Sequence, residues 1–116
     1  MVYKFNLNNR AIDAIINRTK RVEIRTNNNF DYSKIQVGDI IIFTSPNKKS
    51  IKCKILKNLW YISIEELLKK EGTTYTLSST NDYDEGIKSI YSIDGYERVI
   101  KTSGVYALHL EYICTI

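Results

Sequence analysis

The sequence predicts an α+β domain built on a small, strongly bent, largely antiparallel sheet, with short helices packed against its side or ends. Three observations predict it. Segments with strand and helix patterning follow one another as β-α-β-β-β-α-α-β, an order from which few parallel βαβ units can be made. Ser63 and Asp82 each stand three residues before a glutamate at the start of an apolar pattern, the signature of a capped helix. Hydrophobic residues make up 43% of the 116 residues, enough for one domain to bury a core without a disulfide staple. The whole chain, 1–116, is expected to be that single domain.

Val2 to Leu7 alternates, with Tyr3, Phe5 and Leu7 on one face, as a short strand does. Asn8 or Asn9 caps a helix of about ten residues whose apolar stripe is Ala11, Ile12, Ile15 and Ile16. Residues 21–26 return to a strand, and the polar segment 27–39, ending in Gly38-Asp39, reads as a loop and turn. Ile40 to Phe43 is a continuous apolar run, expected of a strand buried on both faces. After a turn at 45–50, Ile51, Cys53 and Ile55 alternate with Lys52 and Lys54, giving one dry and one wet face. Ser63 and Glu66 form a capping box, with Ile62 and Leu67 at the staple positions and Gly72 placed to end the helix. Asp82 and Glu85 open another helix, with Tyr83, Ile87, Ile90 and Tyr91 on its apolar face. Val105 to Ile113, rich in β-branched and aromatic residues, closes the chain as a strand.

The net charge is +4 and unevenly distributed. Lys4, Arg10, Arg18, Lys20, Arg21 and Arg25 face only Asp13 and Glu23 in the first 25 residues. A second basic run, Lys48 to Lys57, reads as a solvated hairpin. Residues 65–97 are acidic on balance. Such polarity suits a basic face toward phosphate, and equally the solvated faces of helices and strands. Cys53 and Cys114 lack metal or redox spacing and read as free thiols. His109 is the only histidine, so an acid–base pair of histidines is excluded. No cluster has metal-ligand spacing and no glycine-rich loop cradles a phosphate, so no cofactor is expected. No segment has the length and apolarity of a signal peptide or a membrane span; the chain is expected to be soluble and intracellular.

Four motifs in order resemble those of the ASCH (activating signal cointegrator homology) domains. Asn17-Arg18-Thr19-Lys20-Arg21-Val22-Glu23-Ile24-Arg25 resembles the family signature GxKxxExR, with Arg18 or Asn17 at the glycine position. Val37-Gly38-Asp39-Ile40-Ile41-Ile42-Phe43 resembles its xGDxIxF strand entry, Trp60 to Leu68 its strand exit and helix, and Gly104 to Leu110 its closing GVxAIxL strand. The resemblance covers about residues 3–113 and implies a PUA-like β-barrel, related to modules that bind RNA, flanked by about three short helices. Some small bacterial members hydrolyse 4-acetylcytidine, and one bacterial member has ribonuclease activity assigned to it.

On that resemblance, Val22 and Ile24 point into the barrel, and Arg21, Glu23 and Arg25 share the opposite face with Lys20 at its mouth. The family's Lys, Glu and Arg line a cleft between barrel and helices, which carries over to Lys20, Glu23 and Arg25. Arginine offers a planar fork for phosphate or a base edge. Lysine offers a point charge, or a nucleophile or proton donor once desolvated. Glutamate accepts from a base or a sugar hydroxyl, or orients the cations. The alternative is a solvated face on which Glu23 merely pairs with Arg21 or Arg25. Trp60 and Tyr75 are candidates for stacking on a base, against core packing for Trp60 and an ordinary polar loop for residues 71–80. The expected partner is RNA or a nucleotide, with single-stranded DNA as a further candidate. The deacetylating members use a Lys, a Thr and a Glu. Lys20 matches the first, Glu23 stands where the Thr belongs, and Glu71 lies a few residues before the third. A metal-independent ribonuclease using Lys20 and Glu23, a 4-acetylcytidine amidohydrolase and a non-catalytic protein-interaction module stand as the alternatives to simple binding.

Overall fold

The computed structural model describes residues 1–116. The elements are β1 (Val2–Asn6), α1 (Asn9–Ile16), β2 (Val22–Arg25), a 3-10 turn (Tyr32–Lys34), β3 (Ile40–Thr44), β4 (Ser50–Tyr61), α2 (Ile64–Glu71), α3 (Tyr83–Tyr91), α4 (Tyr96–Ser103) and β5 (Val105–Thr115). The strands form one sheet in the order β1-β3-β4-β5-β2. β1 lies parallel to β3, with Val2 opposite Ile40, and the other three pairings are antiparallel. The long β4–β5 ribbon shifts register between Lys52 and Cys53 and again between Ile55 and Lys57. Such irregularities bend a strand and increase its twist. The sheet accordingly curls into a half-barrel, a PUA-like α+β arrangement. Its edges, β1 and β2, are joined by a side chain: Arg25 Nη2 donates to the Asn6 carbonyl at 2.8 Å.

Two apolar clusters lie on opposite faces of the sheet. Because strand side chains alternate, β5 serves both. Tyr106, Leu108 and Leu110 join Ile41, Phe43, Ile51, Cys53 and Ile55 beneath α1. Val105 and Ala107 join Ile64, Leu67, Leu68, Ile90 and Ile100 from the helices. The dry face expected of β4 is fully buried at Ile51, Cys53 and Ile55. Asn8 caps α1, accepting from Ala11 N at 2.8 Å, and Asp82 caps α3, accepting from Glu85 N at 2.9 Å. Ser63 accepts from Glu66 N at 3.1 Å, and Gly72 ends α2 at φ +78°.

Several expectations need correction. β3 is not buried on both faces: Ile41 and Phe43 are buried, but Ile40 and Ile42 are only half-buried, because the helices cover a different part of the sheet. Val22 and Ile24 pack with the helices, not inside the barrel, so Glu23 and Arg25 face the barrel side with Leu108 and Tyr106. The Ser63–Glu66 box makes one of its two bonds, and Ile62 is 65% exposed rather than stapled. The 27–39 loop is well packed: Phe30 and Tyr32 stack edge-on at 5.1 Å, against Phe5. Residues 96–103 form a helix that apolar periodicity did not signal, since only Val99 and Ile100 are buried in it.

Candidate functional site

α1 ends at Asn17 in a right-handed conformation, and Arg18 follows at φ +62°. Of the two residues that could occupy the glycine position of the motif, Arg18 therefore has the left-handed backbone that glycine adopts without strain. The turn drops Lys20 into the interior at the start of β2, where it is 5% exposed. Its Nζ donates to the Val22 and Thr76 carbonyls, each at 2.7 Å, and lies 3.3 Å from Glu23 Oε1. The ammonium has three donors and each has an acceptor. Glu23, 6% exposed, gives its other oxygen to Arg25 Nε at 2.7 Å. The Arg25 guanidinium reaches Asn6 O and the Tyr32 hydroxyl, and lies within 5.6–6.0 Å of the Phe5, Phe43 and Tyr32 rings.

Burial lowers the Lys20 pKa, with the Glu23 carboxylate opposing the shift. Burial would raise that of Glu23, but Arg25 and Lys20 outweigh it and hold the carboxyl below its usual range. Burial also acts against Arg25, yet Glu23 keeps its guanidinium more firmly protonated than in water. The trio is a buried ionic network of two cations and one anion, which leaves one positive charge without a partner of opposite sign.

These three residues share a cleft of about 290 Å³. Its walls are the start of α1, the 76–79 segment, and Ile90 and Tyr96 from the helices. Arg10 lies exposed at its rim, without a carboxylate partner. Burial pushes the Tyr96 phenol up to about 12. Sequence reasoning missed Tyr96 because it lies on the unsignalled α4, and missed Asn6, Asn8 and Arg10 because polar residues near a helix start read as capping and solvation.

Arg21 is not among the residues lining this cleft. It is exposed, with its guanidinium 4.2 Å from the centre of the Tyr75 ring and Nε donating to Arg18 O at 3.3 Å. The Tyr75 carbonyl accepts from Arg21 N at 2.8 Å and Val22 N at 3.0 Å, so the loop covers the free edge of β2. Trp60 lies outside the cleft and is neither core nor cleft wall. It is 52% exposed and closes over Gly104, with Nε1 donating to Ser103 O at 3.0 Å. Glu71 also lies elsewhere, accepting from Tyr61 OH at 2.7 Å and contacting His109 Nε2 at 2.9 Å, and so ties the end of α2 to the sheet. Of the two free cysteines, Cys53 is buried and Cys114 exposed. No helix is long and apolar enough to cross a membrane.

No protein-family model matches the sequence, and no curated protein matches it either. Solved structures do. The crystal structure of hypothetical protein PH0355 is 31% identical, over 97% of this chain and 100% of that one, with a TM-score of 0.84. The ASCH protein of Zymomonas mobilis, solved as its S128A mutant, is 17% identical over 97% of this chain and 71% of that one, with a TM-score of 0.61. The ASCH domain of Lactobacillus crispatus JV V101 is 16% identical over 95% and 79% of the two chains, with a TM-score of 0.60. The fold is that of the ASCH domains. Within it, the chain belongs to one family with PH0355.

Proposed function

We propose that this domain binds RNA or a nucleotide in the Lys20–Glu23–Arg25 cleft. The observation that carries the reading is the composition of the cleft floor: a buried network with one positive charge in excess. A charge held away from water acts on a ligand more strongly than a surface lysine does, because the surroundings screen it less. Arg10 at the rim adds a third cation, and Asn6, Asn8, Ser78 and Ser89 supply amides and hydroxyls. Such a site suits an anionic ligand rich in polar edges. Lys20 acts mainly through its field, since its three donors already have acceptors, whereas Arg25 keeps one N–H on each of Nη1 and Nη2 beyond its bonds to Tyr32 and Asn6, and Glu23 holds both in place.

A second reading, a metal-independent RNA-processing enzyme, draws on the lowered pKa of Lys20. Lysines that transfer protons or attack as nucleophiles need that shift. Glu23 would then serve as its partner carboxylate.

The two readings separate on gels. A labelled short single-stranded RNA is incubated with the protein in EDTA and run native and denaturing, beside Lys20→Met and Arg10→Gln. Binding predicts an intact shifted band that fades as salt rises and is weaker in Arg10→Gln, a change on the exposed rim that leaves the core alone. Cleavage that vanishes in Lys20→Met would make the protein a ribonuclease. With neither shift nor cleavage at low salt, polymeric RNA is ruled out as the ligand, and modified nucleosides, 4-acetylcytidine first, become the next probes.

A further inference from the structure

We propose that the cleft between the end of α1 and the 74–81 loop is a phosphodiester subsite continuing the Lys20 cleft, so that the ligand is an oligonucleotide of two or more nucleotides. The proposal rests on the reading above and extends it.

This second cleft, about 570 Å³, shares Leu77, Ser78 and Ser79 with the first, so the two meet across one loop. Arg18 and Arg21 line it and no carboxylate does; on their other side both border a cleft that holds Glu111, which forms no ion pair with either. Both arginines are held by groups that do not neutralise them. Arg21 stacks on Tyr75 and donates Nε to Arg18 O, which leaves both Nη atoms without an intramolecular bond. Arg18 donates Nη1 to Ile16 O, and its guanidinium lies 5.2 Å from the centre of the Tyr112 ring. Side chains fixed before binding lose less entropy when a ligand arrives. A guanidinium fork matches phosphate oxygens in a bidentate way.

The facing wall is also fixed. The Tyr75 carbonyl takes two backbone bonds from Arg21 and Val22, Thr76 Oγ1 donates to Gly72 O at 2.6 Å, and Thr73 Oγ1 donates to Asn81 O at 2.7 Å. The Thr74 and Ser78 hydroxyls, in contrast, make no intramolecular bond and line the opening. The Arg21 guanidinium on Tyr75, with Arg18 adding its charge from the side of Tyr112 and free hydroxyls on the loop, makes an anion site. Its continuity with the Lys20 cleft makes the anion the next phosphate of a chain.

The test compares uridine 5′-monophosphate, the dinucleotide UpU and a uridine hexamer, binding to wild type, Arg18→Gln and Arg21→Gln across a salt series. Nε–H resonances of the arginines are followed in parallel during titration with inorganic phosphate. The hexamer should bind at least tenfold more tightly than the mononucleotide. Each variant should weaken the hexamer several-fold, reduce its log–log salt slope by about 0.7, and leave the mononucleotide unchanged. If wild type binds the hexamer and neither variant alters its affinity or slope, the subsite is refuted while the Lys20 cleft stands. If no nucleotide binds but phosphate shifts the Arg18 and Arg21 resonances saturably, the anion site stands and the RNA reading falls. If phosphate shifts nothing either, the proposal is overturned.

Discussion

Glu23→Gln is the substitution that tests the ionic network most directly. Glu23 is 6% exposed and lies between Lys20 Nζ at 3.3 Å and Arg25 Nε at 2.7 Å. Glutamine keeps the shape but removes the only anion in contact with either cation. One of its two polar atoms is an NH2 group, so one cation loses an acceptor and meets a donor. Lys20 keeps two carbonyls, and Arg25 keeps Asn6 O and Tyr32 OH, so each cation retains some of its partners. Breaking one member out of a buried ion pair costs about 3–5 kcal/mol. The retained bonds put this case near 3 kcal/mol, a large fraction of the roughly 5–15 kcal/mol that holds a domain folded. Urea denaturation at pH 7 measures it. The pH dependence gives an independent check. The Glu23 pKa is lowered in the folded state, so its contribution is fully present above the unfolded value of about 4.3 and is lost as pH falls through the folded pKa. That part of the acid sensitivity should be missing in Glu23→Gln. Adding Lys20→Met to Glu23→Gln removes a stranded cation, so the double variant should be more stable than the sum of the two single losses requires. A loss below about 1 kcal/mol for Glu23→Gln, the level of an exposed pair, would refute the buried-network argument.

Gly104→Ala should destabilise the protein by about 1–3 kcal/mol and alter Trp60 fluorescence, because Gly104 sits at φ +79° and a Cβ there falls 2.3 Å from the indole Nε1. Unchanged emission and stability would mean the indole does not close over this turn. In native protein a thiol reagent should modify one cysteine quickly: Cys114 is exposed, whereas Cys53 is buried with its thiol pushed up to about 12. Both should react after unfolding, and two fast native thiols would contradict the burial of Cys53. Asp82→Ala removes the cap of α3 and should cost about 1 kcal/mol by urea denaturation, with Asp82→Asn recovering most of it.

Much of the fold could be read from local patterns. The caps at Asn8, Ser63 and Asp82 lie where residue types demanded them, because a cap is a contact between residues three apart. The alternation in 51–55 identified the buried face of β4 for the same local reason. The candidate site was legible in part: Lys20, Glu23 and Arg25 do meet, in one cleft.

What the sequence determined by itself is that β2 has two unlike faces, since alternation is a property of the strand. Which face meets the helices and which meets the barrel was decided by the tertiary structure, because that depends on how β2 registers against β5. The same pairing, with the loop carrying Thr76, buries Lys20 and turns a surface-looking run of charges into an interior network. The parallel β1–β3 contact, the bond from Arg25 to Asn6 across the open edge, and the separation of Arg21 from Glu23 likewise join or divide residues by position in space. Local periodicity carries no information about such distant pairings, and the packing of the whole chain supplies it.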